Sequence, residues 1–174
     1  GLIDNAGRYI VKPRFADISS FNQHKLAVVK YGKDQDRYGL LNMEGQIITT
    51  TDYRSIGAFS EGLAPAKTRQ GTGFLNTTGK LVIADKFAKV GSFSEGRAMV
   101  QQNNKCGYID ETGAEVIPCA YSRCLDFSGG RAVVYQGIKN AGIVDRDGKM
   151  IVQPSLDRLL EFQEGRGLMR DDKY

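Results

Sequence analysis

One recurrence constrains this chain more than any other property. The segments GLIDNAG, GLLNMEG, GFLNTTG, GYIDETG and GIVDRDG begin at Gly1, Gly39, Gly73, Gly107 and Gly142. The successive spacings are 38, 34, 34 and 35 residues, and they divide the chain into units 1–38, 39–72, 73–106, 107–141 and 142–174. A unit this short cannot bury an apolar face by itself, so neighbouring copies must stack on one another into one repeat domain.

The internal pattern of the unit specifies strands. The opening Gly is followed by two apolar residues and then by Asp or Asn (Asp4, Asn42, Asn76, Asp110, Asp145). Three residues later stands Gly7, Gly45, Gly79, Gly113 or Gly148. An Asx side chain bonds backbone amides just downstream, and Gly accepts positive φ, so this step reads as a tight turn. Pairs such as Tyr108-Ile109 before it and Val116-Ile117 after it make the flanks of a hairpin. A further strand is expected at 26–31, 63–68, 97–102, 131–136 and 167–171. Ahead of it lies a Gly-punctuated turn, Ser60-Glu61-Gly62 and Ser94-Glu95-Gly96 being the clearest cases.

Large residues recur fourteen positions after the opening Gly (Phe15, Tyr53, Phe87, Tyr121, Leu156), and Phe recurs at twenty (Phe21, Phe59, Phe93, Phe127, Phe162). These two rows are the expected core, and the stretch between them can supply a short fourth strand. Length variation follows the Phe. The largest insertion, at 32–36, is expected at an exposed hairpin tip, which makes the strand before it the partner of the next unit's opening strand.

The fold class that follows is all-β: tandem three- to four-stranded meanders, read as a five-bladed β-propeller, with an open β-solenoid or a fragment of a longer array as the alternative. The ring is favoured because residue 174 stops at the phase where residue 1 resumes. The sequence therefore predicts antiparallel pairing of the segments near Ile3 and Met169.

The run G-[FY]-[IL]-[DN]-x-x-G-x-x-[IV]-[IV], an aromatic, then F-S-E-G-x-A, resembles the bacterial WG-repeat family over the whole chain, with unit four (GYIDETGAEVIPCAY) the nearest match. The namesake Trp is missing: Tyr38, Thr72, Cys106 and Ala141 precede the opening glycines, Tyr174 holds that place for a following unit, and the chain has no Trp. The resemblance implies a repeat scaffold without a defined reaction, and no role of the Trp carries over. A bacterial cytoplasm and a periplasm are both left open.

Composition narrows the function further. Charged residues are 25% and hydrophobic residues 41% of the chain, ordinary for a globular domain, and no apolar run approaches a membrane span. The net charge of +4 is too mild to point to nucleic acid but fits an acidic partner. Cys106, Cys119 and Cys124 show neither CxxC spacing nor a disulfide framework and read as buried or incidental thiols. His24 is the only histidine and stands in place of the Gly in the first unit's Ser-Glu-Gly turn, so His-based triads and multi-His zinc sites have no support. Asp145-Arg146-Asp147-Gly148 begins like a calcium loop but lacks the remaining ligands and reads as a turn. The remaining glycines are likewise assigned to turns.

No catalytic residue, metal or cofactor is expected, and the chain reads as a non-enzymatic binding module. Its expected partner is a protein, with a carbohydrate or cell-envelope ligand as the alternative. Tyr9, Tyr31, Tyr38, Tyr135 and Tyr174 are the aromatics outside the core rows that a carbohydrate would use. The one patterned polar feature is Arg97, Arg131 and Arg166, each four residues after a core Phe. They are the candidate ligand-binding residues, in competition with local pairing to Glu95 and Glu164.

Overall fold

The computed structural model describes residues 1–33, 35–49, 53–156, 159–163 and 166–169, with side chains described only as far as residue 154. The described residues contain strands and no helix. The chain divides into two compact units, Gly1–Lys86 and Phe87–Tyr174.

In the first unit, β1 (Leu2–Ile3) and β2 (Tyr9–Val11) form a two-stranded sheet. A three-stranded sheet follows, in the order β3 (Asp17–Ile18), β4 (Leu26–Gly32), β5 (Gln35–Asn42), extended by bridges from Leu41 to Ile47 and from Tyr38 to Tyr53. Next comes a four-stranded sheet of β6 (Ser55–Ile56), β7 (Leu63–Lys67), β8 (Thr72–Asn76) and β9 (Leu81–Phe87).

The second unit repeats the plan. One four-stranded sheet holds β10 (Lys89–Ser94), β11 (Arg97–Gln102), β12 (Lys105–Ile109) and β13 (Glu115–Tyr121). Another holds β14 (Arg123–Cys124), β15 (Arg131–Gln136), β16 (Asn140–Asp145) and β17 (Met150–Leu156). The last pair is β18 (Leu159–Gln163) with β19 (Arg166–Met169). Each full sheet is a four-stranded antiparallel meander, the blade unit of propellers. A blade takes its first two strands from one sequence unit and its last two from the next, so the short strand ahead of the Phe is the blade's first. At the chain's ends, β1–β2 and β18–β19 are half-blades with two strands each.

The turns form for the local reasons the sequence suggests. The Asp110 carboxylate accepts the amides of Thr112 at 2.9 Å and Ala114 at 3.0 Å, and Gly113 at φ 84° donates to the Asp110 carbonyl. The same bonds recur at Asp4, Asn76 and Asp145, and in part at Asn42. Glu61-Gly62 and Glu95-Gly96 carry two consecutive positive φ values, the type I′ geometry that matches strand twist.

The opening glycines are not turn residues, contrary to the sequence reading. Gly39, Gly73, Gly107 and Gly142 lie inside strands, and a Cβ on Gly73, Gly107 or Gly142 would strike the backbone of the neighbouring strand. Cys106 pairs with Tyr121 and Tyr108 with Ile117, so Gly107 alone faces the bulged residues 118–120. A Cβ on Gly107 would run into the Ile117 carbonyl oxygen, and one on Gly142 would lie 2.8 Å from the Val152 carbonyl oxygen. The bulge bends the fourth strand onto the third, and only hydrogen at the α-carbon leaves room for it.

Of the core rows, Tyr53 packs with Leu26, Leu40, Ala66 and Leu75 in the first unit, and Phe127 with Cys106, Tyr108, Ala132 and Val134 in the second. Tyr53, Phe87, Phe93 and Phe127 are buried; Phe15, Phe21, Phe59 and Tyr121 are half-buried. The side chains of Leu156 and Phe162 lie outside the described residues. Gly32 pairs with Gln35 at the tip of the β4–β5 hairpin, and Asp34 of the insertion lies outside the described residues.

Candidate functional site

Each compact unit contains a junction between two consecutive blades, and the two junctions differ. In the second unit, the sheet β10–β13 is joined to the sheet β14–β17 by polar bridges. The Ser94 hydroxyl donates to the Phe127 carbonyl at 2.8 Å. The two oxygens of Glu95 accept the amides of Gly129 and Gly130, both at 2.7 Å. Those amides belong to a turn in which both glycines have positive φ, so both N–H groups are presented together. Arg97 donates through Nε to the Arg146 carbonyl at 2.9 Å, and its Nη2 lies 4.0 Å from Asp147 Oδ1.

Below these bridges the Tyr108 hydroxyl donates to the Leu125 carbonyl at 2.5 Å, and its ring meets Phe127 edge-on. Burial, with the Asp126 and Tyr121 charges adding to it, pushes the Tyr108 phenol far above its ordinary range and keeps it a donor. Burial also raises the Asp126 carboxyl.

This junction is covalent as well. Cys106 in β12 and Cys124 in β14 form a disulfide with Cα atoms 6.0 Å apart. That corrects the reading of all three cysteines as thiols: the pair is brought together by stacking of two sheets, which no spacing motif records. Cys119 remains a thiol, raised above its usual range by burial first and by Glu115 second.

At the equivalent junction in the first unit, Asn22, Gln23 and Leu26 stand where Ser94, Glu95 and Arg97 make these bridges. Its turn after Phe21 reads Asn22-Gln23-His24-Lys25, one residue longer than Ser94-Glu95-Gly96. Asn22 spends its side-chain oxygen on the amides of His24 at 2.9 Å and Leu26 at 3.1 Å. Gln23 stands at the position of Glu95 and lies 3.4 Å from His24 Nε2. Lys25 takes the left-handed position at φ 59°, so His24 does not replace the Gly; it is inserted, and its ring packs on Phe59 at 5.6 Å. Leu26 opens β4 where Arg97 opens β11.

With a neutral amide in place of the carboxylate and a buried Leu in place of the Arg, an open groove of about 580 Å³ runs between β3–β4 and β6. Its floor is Leu26, Val28, Ile56 and Phe59, and its rim is Ser19, Ser20, Asn22 and Gln23. Among the described residues, no charged side chain lines it. The Ser19 hydroxyl oxygen accepts the Val28 amide at 2.9 Å, which holds that wall to β4.

The three arginines singled out from the sequence do not form one described set. Arg97 bridges two blades rather than pairing with Glu95, and only 17% of its side chain is exposed. Arg131 opens β15 at the equivalent position, half-buried. The side chain of Arg166 lies outside the described residues. The groove was missed because it arises where the pattern fails; the signal was the departure of residues 22–26 from F-S-E-G-x-A.

The WG containing repeat family matches this chain at residues 1–33, 38–70, 73–106, 107–138 and 142–174, and the chain belongs to that family. No curated protein matches the sequence. Among solved structures, a eukaryotic initiation factor is similar with a TM-score of 0.52 at 14% identity, over 82% of this chain and 44% of its own. That likeness shows a shared fold and nothing of function. The computationally designed Ika8 protein gives a TM-score of 0.48 at 12% identity, over 82% of this chain and 50% of its own. BamB from Moraxella catarrhalis gives 0.46 at 11% identity, with 82% and 50% covered. This chain thus spans about half the length of these structures or less. No helix among the described residues is long and apolar enough to cross a membrane.

Proposed function

We propose that this chain is a non-enzymatic scaffold that binds protein, and that the groove of the first unit receives an extended peptide segment. The observation that supports this reading is the contrast between junctions: the same place in the fold is bridged and stapled in one unit and left open over an apolar floor in the other. Leu26, Val28, Ile56 and Phe59 suit an aliphatic or aromatic anchor, and the amides and hydroxyls of Asn22, Gln23 and Ser20 suit a peptide backbone. A rigid repeat that holds such a groove open lowers the ordering cost of binding.

The carbohydrate alternative finds less support, because Tyr9 alone is exposed among the described aromatics set aside for it. Tyr135 is buried, Tyr31 and Tyr38 are half-buried, each with a cation over its ring, and Tyr174 lies outside the described residues. Selection of random twelve-residue peptides on the intact chain tests the proposal. Enriched peptides should share an uncharged apolar anchor and should lose binding to Ser20→Trp, which fills the groove from its exposed rim. Enriched peptides that bind Ser20→Trp unchanged, or no enrichment at all, would refute it.

A further inference from the structure

Each bridge of the closed junction ends on a backbone group that has a counterpart in the first unit. Ser94 ends on the Phe127 carbonyl, Glu95 on the Gly130 amide and Arg97 on the Arg146 carbonyl. By repeat position these correspond to the Phe59 carbonyl, the Gly62 amide and the Thr77 carbonyl. The turns that carry the first two groups match. Ser60 bridges Leu63 as Ser128 bridges Arg131. Glu61 and Gly62 take φ of 52° and 78°, where Gly129 and Gly130 take 60° and 74°. Phe59, Gly62 and Thr77 are half-buried, and among the described residues none of the three backbone groups has a hydrogen-bond partner. A half-buried amide or carbonyl left so is satisfied by solvent or by a ligand. The side chains at the bridging positions do not reach them: Asn22 is bonded into its own turn, Gln23 lies against His24, and Leu26 has nothing to donate.

We infer, resting on the reading of the groove as a peptide site, that its occupant brings the missing side chains. It is a protein segment in which an apolar residue is followed by a hydroxyl, a carboxylate and, two residues further, a guanidinium. The hydroxyl donates to the Phe59 carbonyl, the carboxylate accepts the Gly62 amide, and the guanidinium donates to the Thr77 carbonyl. The apolar residue rests on Leu26, Val28 and Ile56. The ligand thus completes the open junction as Ser94, Glu95 and Arg97 complete the closed one. The charges nearest in sequence, the exposed Lys25 and Glu61, are of opposite sign, so the hydrogen bonds rather than net charge set the selectivity. A carboxylate on a backbone amide makes a charge-assisted bond, roughly twice as strong as a neutral one, and it carries the largest share.

Fluorescence anisotropy on the intact chain tests this with a labelled peptide Gly-Ser-Phe-Ser-Glu-Gly-Arg-Ala, the sequence of residues 91–98. Binding should be lost in Ser20→Trp. It should weaken about tenfold when the peptide's Glu is changed to Gln, the worth of one charge-assisted bond. Changing the peptide's Arg to Gln should weaken it less. Gln23→Glu, which offers the Gly62 amide a carboxylate of the chain's own, should weaken the Glu peptide and leave the weaker Gln peptide unaffected. Amide exchange at Gly62 should slow with the Glu peptide and not with the Gln peptide. Suppose peptides selected on the intact chain are lost in Ser20→Trp, yet the Glu peptide does not bind or binds no better than its Gln form. That would overturn this inference and leave the peptide site standing. Selected peptides indifferent to Ser20→Trp would overturn both. Displacement of the Glu peptide by inorganic phosphate at the peptide's own concentration would overturn the inference as well, by assigning the Gly62 amide to a free anion.

Discussion

The two blade junctions are built from the same repeat and end in different states. Around Phe93 and Phe127, three polar side chains and a disulfide tie one sheet to the next. Around Phe21 and Phe59, the equivalents are Asn22, Gln23 and Leu26, and a groove opens. The comparison teaches that the repeat signature secures the blades, whereas the few residues just after the Phe decide whether a junction is closed or open to a ligand. A carboxylate that reaches two turn amides closes it; an amide that serves its own turn leaves it open.

Four changes would break or sharpen this contrast. The largest effect is expected from the core. Phe93→Ala should cost about 3–5 kcal/mol, and Phe59→Ala, half-exposed to the groove, less than half of that. Denaturant unfolding of the two variants makes the comparison, and equal losses would mean that the groove is closed in solution.

Next comes the staple. Cys106→Ala with Cys124→Ala should cost about 3 kcal/mol, the range for closing a loop with a sequence separation of 18 residues. Thiol titration of the unfolded, unreduced protein should find one reactive sulfur, Cys119. Three would contradict the crosslink.

A smaller effect follows from the carboxylate bridge. Glu95→Ala should cost about 1–2 kcal/mol through the two amides left unpaired, while Gln23→Ala should cost nearly nothing. Hydrogen exchange at Gly129 and Gly130 should accelerate in Glu95→Ala.

The smallest effect depends on pH. Burial raises the Asp126 carboxyl above its unfolded value, so the folded state holds its proton more tightly. Stability from this group is present below the unfolded pKa and is lost as pH rises through the folded one. Asp126→Asn should therefore raise the melting temperature slightly at pH 7 and leave it unchanged near pH 3. The opposite order would show that Asp126 is paired in solution.

What the sequence disclosed and what it hid divide along contact range. The Asx turns and the strands beside them rest on contacts within a few residues, repeated in every unit, so they were readable from segments such as Asp110-Glu111-Thr112-Gly113, and Glu61-Gly62 and Glu95-Gly96 marked the second turn in the same local way. The first strand of each blade was anticipated as a short extra segment, and the pairing of one unit's last strand with the next unit's first followed from where insertions fall. The strand-embedded role of Gly107 was not readable, because the obstruction comes from Ile117 and Pro118 on the neighbouring strand. Arg97 finds its acceptor 49 residues on, and Cys106 finds Cys124 in another sheet. His24 was misplaced for a simpler reason: the turn has gained a residue, and alignment without a gap set the histidine on the glycine's position.

The measurement that tests the account most directly is a transplant of the closed junction into the open one. Residues 22–26 are replaced by Ser-Glu-Gly-Arg, the run that follows Phe93, and binding of a groove-selected peptide is measured by calorimetry beside the melting temperature. The account predicts a chain at least as stable as the original that no longer binds the peptide, because the new carboxylate and guanidinium bridge the blades and fill the groove. Retained binding in a folded transplant would contradict it, since the groove would then not depend on the missing bridges.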